Sequence, residues 1–134
     1  MKIRTGAYRD HAEPMQIVTP RLGKPDLVHY QAPASADVQA HMTQMIDWFN
    51  GAQGKTDGLV RAAIAHLWFE SIHPFEDGNG RIGRAIVDMA LAQDQGQPLR
   101  LCSLSRQLLA ARADYYAVLN ATQRGISMPS RAAN

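Results

Sequence analysis

Residues 71–84 read Ser-Ile-His-Pro-Phe-Glu-Asp-Gly-Asn-Gly-Arg-Ile-Gly-Arg, and this stretch decides the fold. A helix that precedes it must end at Pro74, because proline lacks an amide hydrogen and restricts the residue before it. The Gly-Asn-Gly turn at 78–80 lets the backbone bend sharply before a second helix begins. The first turn of that helix presents amides without intrahelical partners and the positive end of the helix dipole. The stretch therefore predicts a helix–loop–helix unit whose loop binds anions such as phosphates.

Four side chains around this loop are suited to phosphate chemistry. Arg81 and Arg84 are three residues apart, so they project from one face of the helix and can clamp more than one phosphate group. Asp77 is a hard oxygen ligand for Mg²⁺, which binds one or two carboxylates together with phosphate oxygens, and Glu76 is the alternative ligand. His73, with an ordinary pKa of about 6.5, can accept the proton of an attacking hydroxyl. Together they predict phosphoryl or nucleotidyl transfer.

Outside this stretch, apolar residues recur at the three- and four-residue spacing of amphipathic helices. The predicted helices run over about 36–49, from Thr56 or Asp57 to just before Pro74, from Asn79 or Gly80 to Gly96, and from Ser103 to Gly125. Ser35 or Asp37 is expected near the start of the first helix, and Asn50-Gly51 is expected to end it.

A short β-hairpin is predicted before the first helix. Met15–Val18 and Leu27–Tyr30 are rich in apolar and β-favouring residues, and residues 19–26 between them are rich in Pro and Gly. A two-stranded hairpin is marginally stable alone in water, so it is expected to lie on the helices. The predicted fold class is all-α with one hairpin at 15–30, in a single domain over 1–134 with a frayed tail at 127–134.

The composition indicates an ordinary globular protein. The 134 residues are 46% hydrophobic and 19% charged, which suits one domain. No apolar run reaches the roughly 18 residues of a membrane span, and the N-terminus lacks the apolar core of a signal peptide. The single cysteine, Cys102, cannot form an internal disulfide, so a cytoplasmic location is expected. The net charge of +2 comes with dispersed arginines, which disfavours a nucleic-acid partner.

Residues 73–84 resemble the complete HxFx(D/E)GNGRxxR motif of the Fic family. The resemblance covers nearly the whole chain, and its further matches are Gly6–Arg9, the Met-Gln-Ile-Val strand, Met45–Asn50, Ala65–Phe69 and Arg112–Tyr116. It implies the Fic fold, a helical bundle in which the hairpin is the flap. It also implies a protein adenylyltransferase, which transfers AMP from Mg-ATP to a Ser, Thr or Tyr hydroxyl of a target protein and releases pyrophosphate.

The resemblance implies a role for each charged motif residue. His73 would be the base that deprotonates the target hydroxyl, and Asp77 would hold Mg²⁺. Arg81 and Arg84 would bind the β- and γ-phosphates of ATP. The implied cofactors are therefore ATP and Mg²⁺.

The same resemblance implies which residues contact the rest of the nucleotide. Asn79 and the amides of Gly78 and Gly80 would hold the α-phosphate, and Tyr115 and Gln123 match positions that border the adenine. The phosphate-transferring Doc relatives carry Lys at the position of Gly80, so the glycine favours AMP transfer over kinase activity.

The flap would border the nucleotide and pair with an extended segment of the target protein by strand addition. Its implied target-binding residues are Leu27, Val28, His29 and Tyr30. The target protein is accordingly the expected partner.

One departure from the family concerns control. Fic proteins are usually inhibited by an (S/T)xxxE(G/N) helix whose Glu pairs with the second motif arginine, Arg84 here, and that motif does not occur in this chain. Two interpretations remain open: a toxin-like enzyme restrained by a separate antitoxin protein, or an incomplete copy of a larger Fic protein. A deAMPylase is disfavoured because that reaction depends on the same Glu. The alternative functions are a catalytically silent nucleotide-binding module and a Doc-like kinase.

One helix face also admits a metal-hydrolase interpretation. His66, Glu70 and His73 follow at spacings of four and three, which resembles ligand spacing. A structural zinc site normally takes four ligands, and no further His or Cys completes the set. His66 is therefore expected to be a buried histidine that supports the site indirectly.

Overall fold

The chain order of the elements follows the pattern predicted from the sequence. The structure, a computed structural model, describes residues 3–96 and, beyond them, residues 114, 117, 118 and 121. Its elements are β1 (Gln16–Thr19), β2 (Leu27–Gln31), a 3-10 turn (Ser35–Asp37), α1 (Val38–Gly51), α2 (Gly58–Ile72) and α3 (Asn79–Gln95). The predicted fold class, all-α with one hairpin, is confirmed.

The helix boundaries lie close to the capping residues in the sequence. Asp57 caps α2 by accepting hydrogen bonds from the amides of Leu59 and Val60, as its residue type predicts. The end of α3 at the left-handed Gly96 also agrees with prediction. α1 runs two residues further than expected, because Asn50-Gly51 forms its last turn and the amide of Ala52 closes it on the carbonyl of Trp48.

The hairpin forms close to its predicted position: β1 lies one residue later, and β2 begins at the predicted Leu27 and ends one residue later, at Gln31. β1 and β2 are antiparallel, with an irregularity between Ile17 and Val18 that shifts the register. Such a bulge adds twist to the ribbon. The hydroxyl of Tyr30 donates to the backbone carbonyl of Ser71, so the hairpin rests on the C-terminal end of α2.

The core lies where α2 packs against α1 and α3. Its buried side chains are Val38, Met42, Met45, Phe49, Ala62, Ala65, Phe69, Ile72, Val87 and Ala90. Small residues on α2 and α3 allow the two helices to approach closely. Arg61 is buried in this core, with its guanidinium 3.8 Å from the centroid of the Phe49 ring.

The predicted fourth helix falls mostly outside the described residues. Asp114, Ala117, Val118 and Ala121 are helical, and nothing further of the stretch from Ser103 to Gly125 is described. Within the part that the structure describes, every helix is too short or too polar to cross a bilayer.

Candidate active site

The site begins at the strained end of α2. His73 follows the last helical residue with φ of 50° and ψ of 59°, in the left-handed region. Among the described residues it is the only one other than glycine with positive φ. Such a conformation costs about 1–3 kcal/mol and persists only where the surroundings impose it. His73 is also the residue that the sequence predicts as the catalytic base.

The side chain of Arg9 donates hydrogen bonds to the backbone carbonyls before and after this strained position. Its Nε donates to the carbonyl of His73 at 2.7 Å and its Nη2 to the carbonyl of Ile72 at 3.1 Å. Further donors reach the carbonyl of Pro33 at 2.6 Å and the hydroxyl of Ser35 at 3.0 Å. Arg9 belongs to the Gly6–Arg9 match, but its role does not follow from the sequence, because its acceptors lie 24 to 64 residues away along the chain.

The loop after His73 is closed by one side chain. Asn79 is only 3% exposed, and its amide group accepts from the backbone nitrogen of Phe75 at 3.0 Å and donates to the carbonyl of Phe75 at 2.8 Å. The side chain of Asn79 therefore shapes the loop rather than pointing to a ligand. In helical geometry the amides of the first turn of α3, at 79–81, have no intrahelical acceptor. They are the donors that the loop offers to an anion.

An open pocket of about 320 Å³ lies on this loop. It is lined by His73, Glu76, Asp77, Gly78, Asn79, Gly80, Arg81 and Arg84. Every motif residue that the sequence predicts for the base, the metal and the phosphates thus contributes to one cavity. The pocket combines an imidazole, two carboxylates and two guanidinium groups, which suits a polyanionic ligand together with a cation.

The two arginines lie over glycines of the loop. A Cβ added at Gly78 would be 3.3 Å from Nη2 of Arg81, and one added at Gly80 would be 3.3 Å from Nη1 of Arg84. Gly78 in addition has φ of 84°, which side chains rarely adopt. The glycines therefore leave room for both guanidinium groups to lie against the backbone, beside the free amides of the helix start.

The two acidic residues differ in their partners. Oε2 of Glu76 accepts from the amide of Arg4 at 2.7 Å, so this carboxylate helps to fasten the N-terminal segment. Oδ2 of Asp77 lies 3.4 Å from Nη2 of Arg81, and the Asp77 side chain is 63% exposed. An exposed ion pair of this kind contributes little stability. Asp77 is consequently the carboxylate more readily available to a ligand.

His66 and Glu70 lie apart from the open pocket. Both are buried, as expected for His66, and both face the backbone of Gly83 on α3. Within the described residues no group of three or more His, Cys, Asp or Glu side chains is placed to hold a metal ion. His66 and Glu70 lie on α2 and His73 follows its end, and their spacing does not produce a three-ligand cluster.

Burial determines the protonation state of the catalytic candidate. Burial lowers the pKa of His73, a hydrogen bond from its ring to the backbone carbonyl of Glu70 opposes that shift, and the positive charge of Arg9 lowers the pKa further. The imidazole is thus neutral at pH 7. In a neutral imidazole one ring nitrogen carries a hydrogen and the other can accept a proton.

The predicted flap residues fall into two groups. Leu27 and Val28 are exposed, whereas His29 and Tyr30 are half-buried. Through its hydroxyl, Tyr30 contacts the carbonyl of Ser71, two residues before His73. The structure thus joins β2 to the site. Tyr115 and Gln123, the predicted adenine neighbours, lie outside the described residues.

Comparison with known proteins gives matches in both sequence and structure. A family model described as Fic/DOC family matches residues 1–91. The chain is similar to a Caenorhabditis elegans protein named protein adenylyltransferase fic-1, with 33% identity over 93 residues that cover 69% of this chain and 17% of the relative. It is also similar to the Nematostella vectensis protein adenylyltransferase Fic, with 28% identity over 120 residues that cover 89% of this chain and 27% of the relative.

Two solved structures share the fold. A Fic domain containing signaling protein from Bacteroides thetaiotaomicron is 26% identical with a TM-score of 0.66, covering 87% of this chain and 40% of its own. A Fic family protein from Desulfovibrio desulfuricans G20 is 29% identical with a TM-score of 0.70, covering 91% of this chain and 34% of its own. The chain therefore spans between 17% and 40% of the length of these relatives. The match over residues 1–91 of 134 shows that the chain belongs to the Fic/DOC family.

Proposed function

We propose that the chain transfers AMP from Mg-ATP to a Ser, Thr or Tyr hydroxyl of a target protein and releases pyrophosphate. The observation that carries the proposal is the pocket in which His73, Asp77, Arg81 and Arg84 meet the start of α3. The name protein adenylyltransferase, which the two animal relatives carry, supports the same reaction class. A single cysteine and the use of ATP fit a cytoplasmic location.

His73 supplies the base. Its neutral imidazole takes the proton from the target hydroxyl, whose oxygen then bonds to the α-phosphorus of ATP. The bond between the α-phosphorus and the oxygen that bridges to the β-phosphate breaks, and pyrophosphate leaves. AMP is thereby joined to the target oxygen, and the proton remains on the imidazole until solvent removes it.

The start of α3 and the two arginines bind the phosphates. The free amides at 79–81 and the positive end of the helix dipole favour the α-phosphate, where negative charge builds up during transfer. Arg81 and Arg84 lie beside those amides and offer guanidinium forks to the β- and γ-phosphates. Position 80 is a glycine, where the phosphate-transferring Doc relatives carry lysine, and this difference favours AMP transfer over phosphate transfer.

Asp77 would hold the Mg²⁺ that the proposed reaction uses. Its side chain is exposed in the pocket and its ion pair with Arg81 is also exposed, so the carboxylate can turn to a cation there. When bound, the ion neutralises charge on the phosphates. Glu76 is the weaker candidate because the amide of Arg4 already binds it.

The test compares transfer of the α-phosphate of ATP with transfer of its γ-phosphate. Incubation with Mg²⁺ and ATP labelled on the α-phosphate should label the protein itself or proteins of a cell lysate. His73→Asn should lower the labelling rate by about 10²–10⁴-fold, the usual contribution of a general base. Asparagine tolerates the left-handed conformation, so this variant retains the fold.

Three outcomes would count against AMP transfer. Label that arrives from the γ-phosphate would indicate a kinase. ATP binding by calorimetry without any transferred label would indicate a silent nucleotide-binding module. Labelling that His73→Asn leaves unchanged would remove His73 from the chemistry.

A further inference from the structure

Arg9 is a buried cation whose partners are all neutral. The residue is 2% exposed, and its four side-chain hydrogen bonds reach three backbone carbonyls and one hydroxyl. None of the ion pairs in the described part of the chain includes it. Burying a charge without an opposite charge is costly, so its acceptors must compensate strongly. Two of them are carbonyls at the C-terminal end of α2, where the helix dipole is negative and intrahelical donors are missing.

The geometry of those two bonds restricts the backbone at the site. Nε and Nη2 of one rigid guanidinium group bind the consecutive carbonyls of His73 and Ile72. The amide of Arg9 also donates to the carbonyl of Pro74 at 2.8 Å. Arg9 therefore holds three successive peptide groups, one before the strained His73 and two after it. A planar fork can fix two oxygen positions at once, which a single ammonium group does not do.

The remaining bonds connect this peptide to another part of the chain. The carbonyl of Pro33 and the hydroxyl of Ser35 also accept from Arg9, and both precede α1. Ser35 in turn donates to the carbonyl of His11 at 2.8 Å. The His73 peptide is thus tied to two segments that are distant in sequence, and neither segment lines the pocket.

A second buried arginine provides a comparison within the same fold. Arg61 is also 2% exposed, and it donates to the carbonyl of Phe49 at 3.0 Å and to Gln93 at 2.8 Å. It makes no contact with the His73 peptide and does not line the pocket. Loss of either arginine should affect packing, but only Arg9 is placed to affect the position of His73.

We propose that Arg9 is a positioning residue for the transfer reaction, which holds the His73 peptide in its left-handed geometry and so sets where the imidazole lies in the pocket. The proposal rests on the proposed function for its kinetic consequence. Its structural part, control of the His73 peptide, stands on the contacts alone.

The kinetic experiment compares Arg9→Lys with the matched control Arg61→Lys. Arg9→Lys should lower the maximal rate of labelling from α-labelled ATP by about 10–100-fold, because a displacement of about 1 Å in a reacting group can cost that much. The KM for Mg-ATP and the ATP affinity by calorimetry should stay within about twofold of wild type, since Arg9 lies outside the pocket. Arg61→Lys should leave the rate within about twofold.

A second readout needs no activity. The amide of Phe75, which binds Asn79 in the loop after His73, should exchange its hydrogen faster in Arg9→Lys than in Arg61→Lys. Thermal unfolding will show whether Arg9→Lys is folded. If it is not, Ser35→Ala removes only one of the hydrogen bonds to Arg9 and should show a smaller loss of labelling rate and a smaller increase in exchange of the Phe75 amide.

The outcomes separate the two proposals. Equal losses of rate in the two lysine variants, or a rise in KM for Mg-ATP with an unchanged maximal rate, would overturn the positioning role. If the wild-type protein transfers no label, the proposed function fails. The exchange of the Phe75 amide then decides on Arg9 by itself: faster exchange only in Arg9→Lys supports the role, and equal exchange overturns it.

Discussion

The two ends of α2 are closed in different ways. At the N-terminal end, Asp57 binds the amides of residues two and three positions further along the chain. At the C-terminal end, the carbonyls of Ser71, Ile72 and His73 bind side chains that are 41, 63 and 64 residues away. The cap at the first end uses only neighbouring residues. The contacts at the other end require the hairpin and the N-terminal segment to be in place.

This difference coincides with the difference in chemistry. The C-terminal end of α2, closed by distant segments, is followed by the left-handed His73, which lines the pocket. The N-terminal end, capped by Asp57, does not line that pocket. A strained residue needs surroundings that impose its conformation, and contacts from several segments provide them. Tyr30 and Arg9 therefore connect the folding of the whole domain to the geometry of one side chain.

The largest expected effect comes from adding a methyl group near each end of α2. A Cβ at Gly83, on α3, would overlap the buried carboxylate of Glu70, whereas a Cβ at Gly58, the first residue of α2, would overlap the side chain of Asp94. Glu70 is 8% exposed and cannot move into solvent, and the Cβ of Asp94, which the added methyl group also meets, is fixed by the backbone of α3 and cannot rotate away. Gly83→Ala and Gly58→Ala should therefore each lower the free energy of unfolding by about 1–3 kcal/mol, despite the better helix propensity of alanine.

Gly51→Ala is the control for both substitutions. It should not lower the free energy of unfolding, because a Cβ at Gly51, the exposed last residue of α1, meets no heavy atom within 4 Å. Urea denaturation of the three variants measures the differences. A midpoint for Gly83→Ala equal to that of Gly51→Ala would mean that the side chain of Glu70 is free to move aside.

A smaller effect is expected from the local cap itself. Asp57→Ala removes the acceptor for the amides of Leu59 and Val60 and should lower the free energy of unfolding by about 1 kcal/mol. The labelling rate from α-labelled ATP should remain as in wild type at a temperature where both proteins are folded. A fall in rate at that temperature would contradict the separation between the two ends of α2.

The same contrast explains what could be predicted from the sequence. The Asp57 cap, the end of α3 at Gly96 and the membership of the pocket all follow from residues close together in the chain, so local patterns predict them. The roles of Arg9 and of the hydroxyl of Tyr30 do not, because their acceptors are backbone carbonyls that any residue type carries. A single sequence holds no signal for such a pairing.

Asn79 illustrates an intermediate case. The resemblance to the Fic family predicts that Asn79 belongs to the phosphate-binding loop, and Asn79 does line the pocket at that loop. Its side chain, however, is buried and bonded to the backbone of Phe75, so it shapes the loop. A motif fixes which residues gather at a site, whereas the direction of each side chain depends on how the loop closes.

The smallest expected effect concerns the pH dependence of labelling, which should depend on the C-terminal end of α2 and not on its N-terminal end. In the proposed reaction the neutral imidazole of His73 is the active form, and burial together with Arg9 keeps its pKa below the ordinary value of 6.5. The rate should therefore hold down to a pH below 6.5 and be lost only as the pH falls through the lowered pKa. The pocket also presents charged groups toward the imidazole, namely Glu76, Asp77, Arg81 and Arg84, and the ionisable Tyr30 lies nearby on β2.

Arg9→Gln distinguishes the contribution of the distant segment from that of the pocket. Removing the positive charge of Arg9 makes the imidazolium form less unfavourable, so the pKa of His73 rises and the acid limb moves to higher pH. Arg61→Gln removes a buried charge that is not among the causes of the His73 shift, and its acid limb should coincide with that of wild type. Rates measured between about pH 5 and pH 8 cover the range in which a histidine titrates. If Arg9→Gln and Arg61→Gln give the same acid limb, then the charge that the N-terminal segment brings to this end of α2 has no part in setting the pKa of His73.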